Sequence, residues 1–534
     1  MTATRPILKS KFYLYLTEFF SGVSVMAVEL GASRLLAPYF SSSQIVWTII
    51  IGTIMIAMAL GNLWGGRSAD RDPNPDRLYR RILIAAIWIA AIPVLGKYII
   101  LGISGLLILT VSTNFLIIAA FLACMVIFVF PLFLLGTVTP SLAKYSVESL
   151  SESGKTVGAL GAANTIGSIL GTFLPTFVTI PAVGTSVTFL LFSGILLLIG
   201  LIYFISAKAK TGACVTAAVL FVACCVLGHS GSFAFWEKEL TYEGESIYNY
   251  LQVKENDQKI ALSTNVLFGV QSVKMKEADL TGMYYDYALA APAMAGVVEK
   301  QSPRILILGN GTGTYAAQCA RYFPNAEIEG VEIDQKITDL AHEYFSLPQS
   351  VKVSTYDGRA YLQAVDTKYD VILVDAYQDI TIPFQMSTAE FFTLVREHLA
   401  EDGVMVCNMN MYSDEGGSIN AALTDTIMSV FPQGYTVDVP HSTNRELFAG
   451  NGDLKATLTA SAAATADGSL RAMLQKVLAA LAPCTGGETI LTDDKAPVEL
   501  LGMRVIDGLI QNELGYYREL YQQQGLSALL ASFA

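Results

Sequence analysis

Residues 304–320 read RILILGNGTGTYAAQCA. The first five, rich in isoleucine and leucine, have the composition of a strand buried on both faces, and the residues after them predict a glycine loop that opens a helix. Glycines at 309, 311 and 313, with Thr312 among them, let the backbone turn sharply and approach a ligand closely beside free helix N–H groups. A glycine loop alone is a modest sign of nucleotide binding. The downstream residues make it specific. The strand AEIEGVEID (326–334) brings Glu332 about twenty residues after the loop, where a carboxylate takes both hydroxyls of a ribose. VKVSTYDG (351–358) ends in Asp357 and Gly358, and YDVILVDAY (369–377) reaches Asp375. Ligands bind at the carboxyl ends of strands in an open parallel sheet, so the loop and these three acids converge on one crevice. Asp334 and Asp370 read instead as structural residues of the helix-capping kind.

Upstream, residues 239–275 change to short alternating runs (SIYNYLQV, QKIALST, FGVQSVKM), which predict a small β-sheet unit. The stretch MYYDYALAAPAMAGVV (283–298) reads as helix. Downstream, the alanine-rich ATLTASAAATADGS (456–469) reads as a loop leading into the helix LRAMLQKVLAALA. The tail after Leu500 reads as an amphipathic helix that packs on the domain, on a second copy of the chain in a homodimer, or on a membrane surface.

The first 229 residues are of another kind. The chain of 534 residues is 53% hydrophobic and 15% charged, with mean hydropathy +0.47, too apolar for a soluble protein of this size. Of 34 basic and 46 acidic residues, 14 and 7 fall in 1–229, so that part carries +7 and the remainder −19. An acidic soluble half argues against nucleic acid as a partner and suits a cationic substrate. Spanning-length apolar runs lie at 13–36, 45–64, 82–110, 115–138, 157–180, 187–205 and 213–227, seven in all. They predict a multi-pass protein of the cell membrane, in contact with the lipid bilayer. Arg67, Arg71, Arg77, Arg80, Arg81, Lys208 and Lys210 share the N-terminal side, which is the inner side by the distribution of basic loops. Seven crossings then deliver the soluble half outside, whereas the nucleotide-type ligand of the glycine loop is found in the cytoplasm, and the cytoplasm is the expectation adopted. Within the first run Glu29 is the candidate functional acid, since Glu18 and Arg34 lie near the ends and can snorkel. Gly167 and Gly171 read as a close helix contact. The seven cysteines show no disulfide or metal spacing, and no metal is expected.

The fold expected is thus an α-helical transmembrane bundle (1–229) fused to a small β unit (236–280), an α/β Rossmann-type domain of the class I methyltransferase-like kind (281–510) and a C-terminal amphipathic helix (511–534). In order, LGNGTG, VEID, YDGRAYL, YDVILVDAY, IPFQMSTAEFF, GVMVCN and LTDDKAPVE resemble the spermidine synthase (polyamine aminopropyltransferase) family. AVELGASRLLAPYFSSSQIVW (27–47) is similar to the opening of its membrane-fused branch, and GNLWGGRSADR (61–71) resembles a loop of the major facilitator bundle. The resemblance implies an adenosyl sulfonium, S-adenosylmethionine or its decarboxylated form, as substrate. It implies Glu332 on the ribose, Asp357 with Gly358 on the adenine and Asp375 as acid–base residue. It further implies putrescine or another amine as the group that attacks beside the sulfonium and releases methylthioadenosine.

The sequence departs from the family where the chain on sulfur and the amine are read. Thr312 replaces the loop aspartate. Gln378 stands where a second acid follows Asp375, with Asp379 displaced by one and Tyr377 between. Tyr285 and Asp286 correspond to a family Tyr-His, Asn249 to an early glutamine, and Gln271 approximately to a second one. These changes leave open cleavage or cyclisation of S-adenosylmethionine without a polyamine acceptor. A methyltransferase, and a transporter or sensor with a ligand-binding Rossmann domain, also remain open.

Overall fold

The computed structural model describes residues 7, 10–40, 43–111, 113–146, 153–229, 232–266, 270–376, 382–410, 413 and 417–531. The chain divides into two units. The first comprises residues 1–236, 244–250 and 514–534, and the second residues 237–243 and 251–513.

The first unit is helical: α1 (Lys11–Phe40), α2 (Gln44–Arg71), α3 (Pro75–Ile108), α4 (Phe115–Ile127), α5 (Val129–Gly136), α6 (Val138–Ser146), α7 (Ser153–Leu174), a π-helical turn (Pro175–Thr179), α8 (Ile180–Ser206) and α9 (Thr211–Gly228). Among the described residues five helices are long and apolar enough to cross a membrane, six if α4 and the helical stretch Val129–Ser146, bent by 49°, form one span. That tally takes Ser153–Ser206 as a single helix, but the backbone leaves helical geometry at Gly184 (φ 79°, ψ 167°). Thr188 Oγ1 donates to Thr179 Oγ1 at 2.9 Å, whereas nine residues of straight helix span roughly 13 Å. The chain therefore doubles back, and the Glu245 carboxylate accepts from the Thr185 N–H (2.7 Å) and hydroxyl (2.6 Å) at the start of the returning helix. The reversal divides Ser153–Ser206 into two arms, α7 before it and α8 after it.

Gly167 and Gly171 make the expected close contact: a Cβ at either would lie 2.1 or 2.2 Å from the carbonyls of Phe19 and Val23 on α1. The relative depth of the two acids on α1 differs from expectation. Glu18 is fully buried, its Oε1 accepting from Thr139 (2.5 Å) and Asn164 (2.9 Å), while Glu29 is only half-buried. Depth along one helix suggested that Glu18 could reach an interface; the packing of α6 and α7 over it closes that route.

Two sheets follow the helices along the chain. Strands β1 (Leu240–Glu245), β2 (Tyr250–Glu255), β3 (Lys259–Ser263) and β4 (Ser272–Met275) form a four-stranded sheet in sequential order. The main sheet contains β5 (Arg304–Leu308), β6 (Glu327–Glu332), β7 (Lys352–Thr355), β8 (Tyr369–Val374), β9 (Leu399–Met409), β10 (Gln433–Asp438), β11 (Arg445–Gly450) and β12 (Ala482–Pro483), in the order β12-β10-β11-β9-β8-β5-β6-β7. Strands β5 to β9 are parallel, and β10 and β11 run antiparallel at one side. The parallel strands read as unbroken apolar runs because helices cover both faces. On one face α10 (Tyr284–Ala288), α11 (Ala290–Met294), α12 (Thr314–Tyr322), α17 (Leu454–Ala464) and α18 (Gly468–Ala480) bury Ile305, Ile307, Val404 and Phe448. On the other, α14 (Gly358–Ala364), α15 (Ala389–Glu397) and α16 (Ile419–Val430) cover Leu306, Leu308, Ile372 and Met405; α13 (Gln335–Glu343) follows β6. The alanine-rich stretch expected to be a loop is largely the helix α17, capped by Asp453 accepting from the Ala456 N–H. Alanine's helix propensity and burial of Leu454 and Leu458 outweigh its serines and threonines. A last helix, α19 (Val498–Ala531), departs from helical geometry at Gly525.

Candidate functional site

Parallel strands β5, β6 and β8 end side by side, and the loop after β5 is pinned across them. The N–H groups of Gly309 and Asn310 both donate to the Val331 carbonyl, at 2.9 and 3.0 Å. Gly309 has φ 88°, and a Cβ there would lie 2.4 Å from the Asp375 carbonyl oxygen. Gly313 has φ 83°, and its Cβ would meet Leu347 at 2.2 Å. Glycine is therefore demanded twice, once by the approach of β8 and once by packing under the loop.

Glu332 is buried at the end of β6, its Oε2 accepting from the Gly311 N–H (2.8 Å) and its Oε1 from the Asp334 N–H (3.1 Å). Each oxygen keeps a lone pair for a ligand hydroxyl. Burial pushes its carboxyl up to about 7, against these stabilising N–H groups. Asp357 caps α14, accepting from the Ala360 N–H at 2.8 Å, and Gly358 follows it. Asp334 caps α13 as expected, whereas Asp370 lies within β8 and caps no helix, accepting instead from Lys300 (2.5 Å) and the Arg304 N–H (2.8 Å).

Asp375 follows β8. Its Oδ1 accepts from Asn408 Nδ2 (2.8 Å) and its Oδ2 from the Tyr284 hydroxyl (2.7 Å). Burial pushes its carboxyl up to about 7, with the neighbouring Glu332 charge adding to the rise and the two donors opposing it. A carboxyl poised there exchanges a proton near neutrality, as a general base must.

The structure gathers Gly309, Gly311, Thr312, Gly313, Glu332, Asp357, Gly358 and Asp375 at this sheet end. Thr312 is buried, its N–H donating to Ser272 Oγ at 3.1 Å while its own hydroxyl has no partner among the described residues. Tyr285 donates to the Gln271 carbonyl (2.6 Å) and lies against Tyr284, ring centroids 3.9 Å apart. Asp286 is engaged elsewhere: its carboxylate accepts from Thr281 N–H and hydroxyl, the Gly282 N–H and Gln318 Nε2. It organises the turn before α10. Asn249 lies in residues 244–250 of the first unit, its N–H donating to Ser246 Oγ at 2.9 Å. Tyr377, Gln378 and Asp379 fall outside the described residues.

Sequence reasoning missed Tyr284 and Asn408, the two donors to Asp375. Asn408 closes the quoted GVMVCN, but nothing in a strand sequence says which side chain reaches the next strand's end. Three distant motifs also meet at one ion pair: Arg359 of YDGRAYL donates twice to Asp493 of LTDDKAPVE, at 2.7 and 2.6 Å, and Thr388 adds a third bond at 2.7 Å. These contacts hold the Asp493 carboxyl below its ordinary range.

The Spermine/spermidine synthase domain family matches residues 287–443. A protein named "Probable polyamine aminopropyl transferase" of Bifidobacterium longum is 56% identical over 348 residues, covering 62% of this chain and 77% of its own. A "Polyamine aminopropyltransferase" of Vibrio vulnificus is 28% identical over 241 residues, covering 43% and 77%. The crystal structure of a probable spermidine synthase from Corynebacterium glutamicum aligns at TM-score 0.36 and 18% identity, covering 46% of this chain and 96% of that one.

Proposed function

This chain belongs to the polyamine aminopropyltransferase family and is a transferase of that type; from that premise we propose that it moves the aminopropyl group of decarboxylated S-adenosylmethionine to an amine, with Asp375 as the base. The amine nitrogen attacks the methylene carbon bonded to the sulfonium, the carbon–sulfur bond breaks, and methylthioadenosine leaves as a neutral thioether. The attacking nitrogen gives its proton to Asp375. A sulfonium is a good leaving group, so the protein has chiefly to orient the two reactants and accept that proton. Glu332 holds the ribose, Asp357 and Gly358 the adenine, and the loop 309–313 the face of the adenosyl group. The observation that carries the reading is the Asp375 carboxyl, raised to about 7 and aimed by Tyr284 and Asn408 at the shared strand end.

The helical unit is proposed to cross the bilayer in seven passes, supported by apolar residues left exposed along it, among them Met55, Ile56, Leu60, Ile166, Ile202 and Val219. The catalytic unit is assigned to the cytoplasm on the availability of its substrate.

Purified full-length protein in detergent, given decarboxylated S-adenosylmethionine and putrescine, should release methylthioadenosine and spermidine. No turnover without the amine is expected. A second reading rests on Thr312, which puts an uncharged, unpartnered hydroxyl where the family has an acid. That change suits the carboxylate of S-adenosylmethionine itself. Methylthioadenosine formed from S-adenosylmethionine with no amine present would select this second reading and retire the first.

Tyr284→Phe removes one donor to the ionised base. Donors to a carboxylate lower its pKa, so the acid limb of the kcat/KM profile should move to higher pH. Activity at pH 6.5 should fall about tenfold, with a smaller loss at pH 9. A uniform loss across pH would show that the tyrosine acts on substrate and not through Asp375.

A further inference from the structure

Glu446, on β11, is fully buried, and among the described residues neither carboxylate oxygen has a hydrogen-bond partner. An acid sealed in this way is costly to keep charged unless a cation joins it. It pairs in register with Asn408 on β9, and antiparallel partners project to the same face. Asn408 is the residue that donates to Asp375 while accepting from Asn444 Nδ2 at 2.8 Å. Burial, with the Asp375 charge adding to it, pushes the Glu446 carboxyl well up. Tyr315 of α12 and Cys407 of β9 are the other titratable groups that feel its charge.

Position along the sheet indicates which cation. Glu332 ends β6, the glycine loop follows β5, Asp375 follows β8, and Asn408 and Glu446 come next on β9 and β11. The proposed adenosyl anchors therefore lie to one side of the base and Glu446 to the other. Two strand spacings separate β8 from β11, roughly 10 Å, the scale of a short diamine with a hydrogen bond at each end. The position that would carry an acid for this purpose in the family is Gln378 here.

We propose that Glu446 holds the non-reacting ammonium group of the amine acceptor, making it a specificity residue for diamines over monoamines. The proposal rests on the aminopropyl-transfer reading above. It requires the side chain to turn toward the acceptor as the acceptor enters, replacing the proton on a buried acid by an ammonium ion.

The test is steady-state turnover of the full-length protein with putrescine and with butylamine, in wild type, Glu446→Gln and Glu446→Asp. Glutamine keeps the shape of the neutral acid, so the fold and methylthioadenosine affinity should persist. Its KM for putrescine should rise about tenfold or more, while its KM for butylamine should change little. Glu446→Asp should keep most of the preference for putrescine. An unchanged putrescine KM in Glu446→Gln, or equal rises for both amines, would overturn the assignment. So would a shift confined to the pH profile, which would make Glu446 a tuner of Asp375. Wild type without amine-dependent turnover would instead sink the underlying reading, so the two failures are separable.

Discussion

Asp375→Asn is expected to lower kcat by about 10²- to 10⁴-fold, the usual contribution of a positioned general base. Methylthioadenosine affinity should stay within a few-fold, because the residues proposed to hold the adenosyl group are Glu332, Asp357 and the loop 309–313. The residual rate should lose its dependence on a base titrating near pH 7. In wild type the base must be ionised, so kcat/KM should rise with pH to a plateau above about 7. Glu332 is raised to about 7 as well and repels Asp375. The observed midpoint therefore belongs to the pair. Measuring kcat/KM from pH 5 to 9 for both proteins checks this, and a variant retaining half the wild-type rate would remove Asp375 from the chemistry.

The same substitution should act on stability in the opposite direction. Asp375 ionises at about 7 in the folded protein against an ordinary value of 3.8. Between those values the native state holds a proton that the unfolded chain has released. Native stability from this group therefore falls as pH rises from about 4 to 7 and stays low above it. Asparagine carries no charge to desolvate and can still bond Asn408 and Tyr284. Its melting midpoint should exceed that of wild type at pH 8 and match it near pH 4. Such a gain with a loss of activity marks a carboxylate held for function against a cost in stability.

The core of the site is legible in the sequence because strand ends are marked by abrupt changes of composition. RILIL gives way to glycines, EIEGVE to an acid and a capping aspartate, YDVILV to Asp375. Those changes fix backbone position, and in a parallel sheet backbone position is nearly enough to bring the acids together. Side-chain partnership is another matter. Tyr284 and Tyr285 are adjacent, and a resemblance can align either with a family tyrosine, but only the seating of α10 on the sheet decides that Tyr284 meets Asp375. Glu446 was invisible for a related reason: an acid in RELFAG reads as the polar side of an alternating strand, and α10 and α12 covering that side cannot be inferred from the strand itself. In the helical unit the apolar runs mark where the long helices lie, since length and hydropathy are properties of single segments. Burial of Glu18 in preference to Glu29 depends on Thr139 and Asn164, which lie more than a hundred residues away.

Gly309→Ala tests whether the loop and the base are one construction. The residue sits at φ 88°, a conformation an alanine adopts only with strain, and the new Cβ would lie 2.4 Å from the Asp375 carbonyl and 2.7 Å from Ala376 Cα. Both obstacles are backbone, so no side chain can rotate away. Strain and overlap together should cost on the order of 3 kcal/mol or more, seen as a marked fall in the melting midpoint of the purified protein. Relief can come only by moving the loop off Val331 or by moving β8's end, which carries Asp375. Either shift separates the adenosyl cradle from the base. Adenosyl affinity and kcat should therefore fall together, unlike Asp375→Asn, where kcat alone falls. Full activity with lowered stability would show instead that the loop tolerates displacement and that the base is positioned by Asn408 and Tyr284 alone.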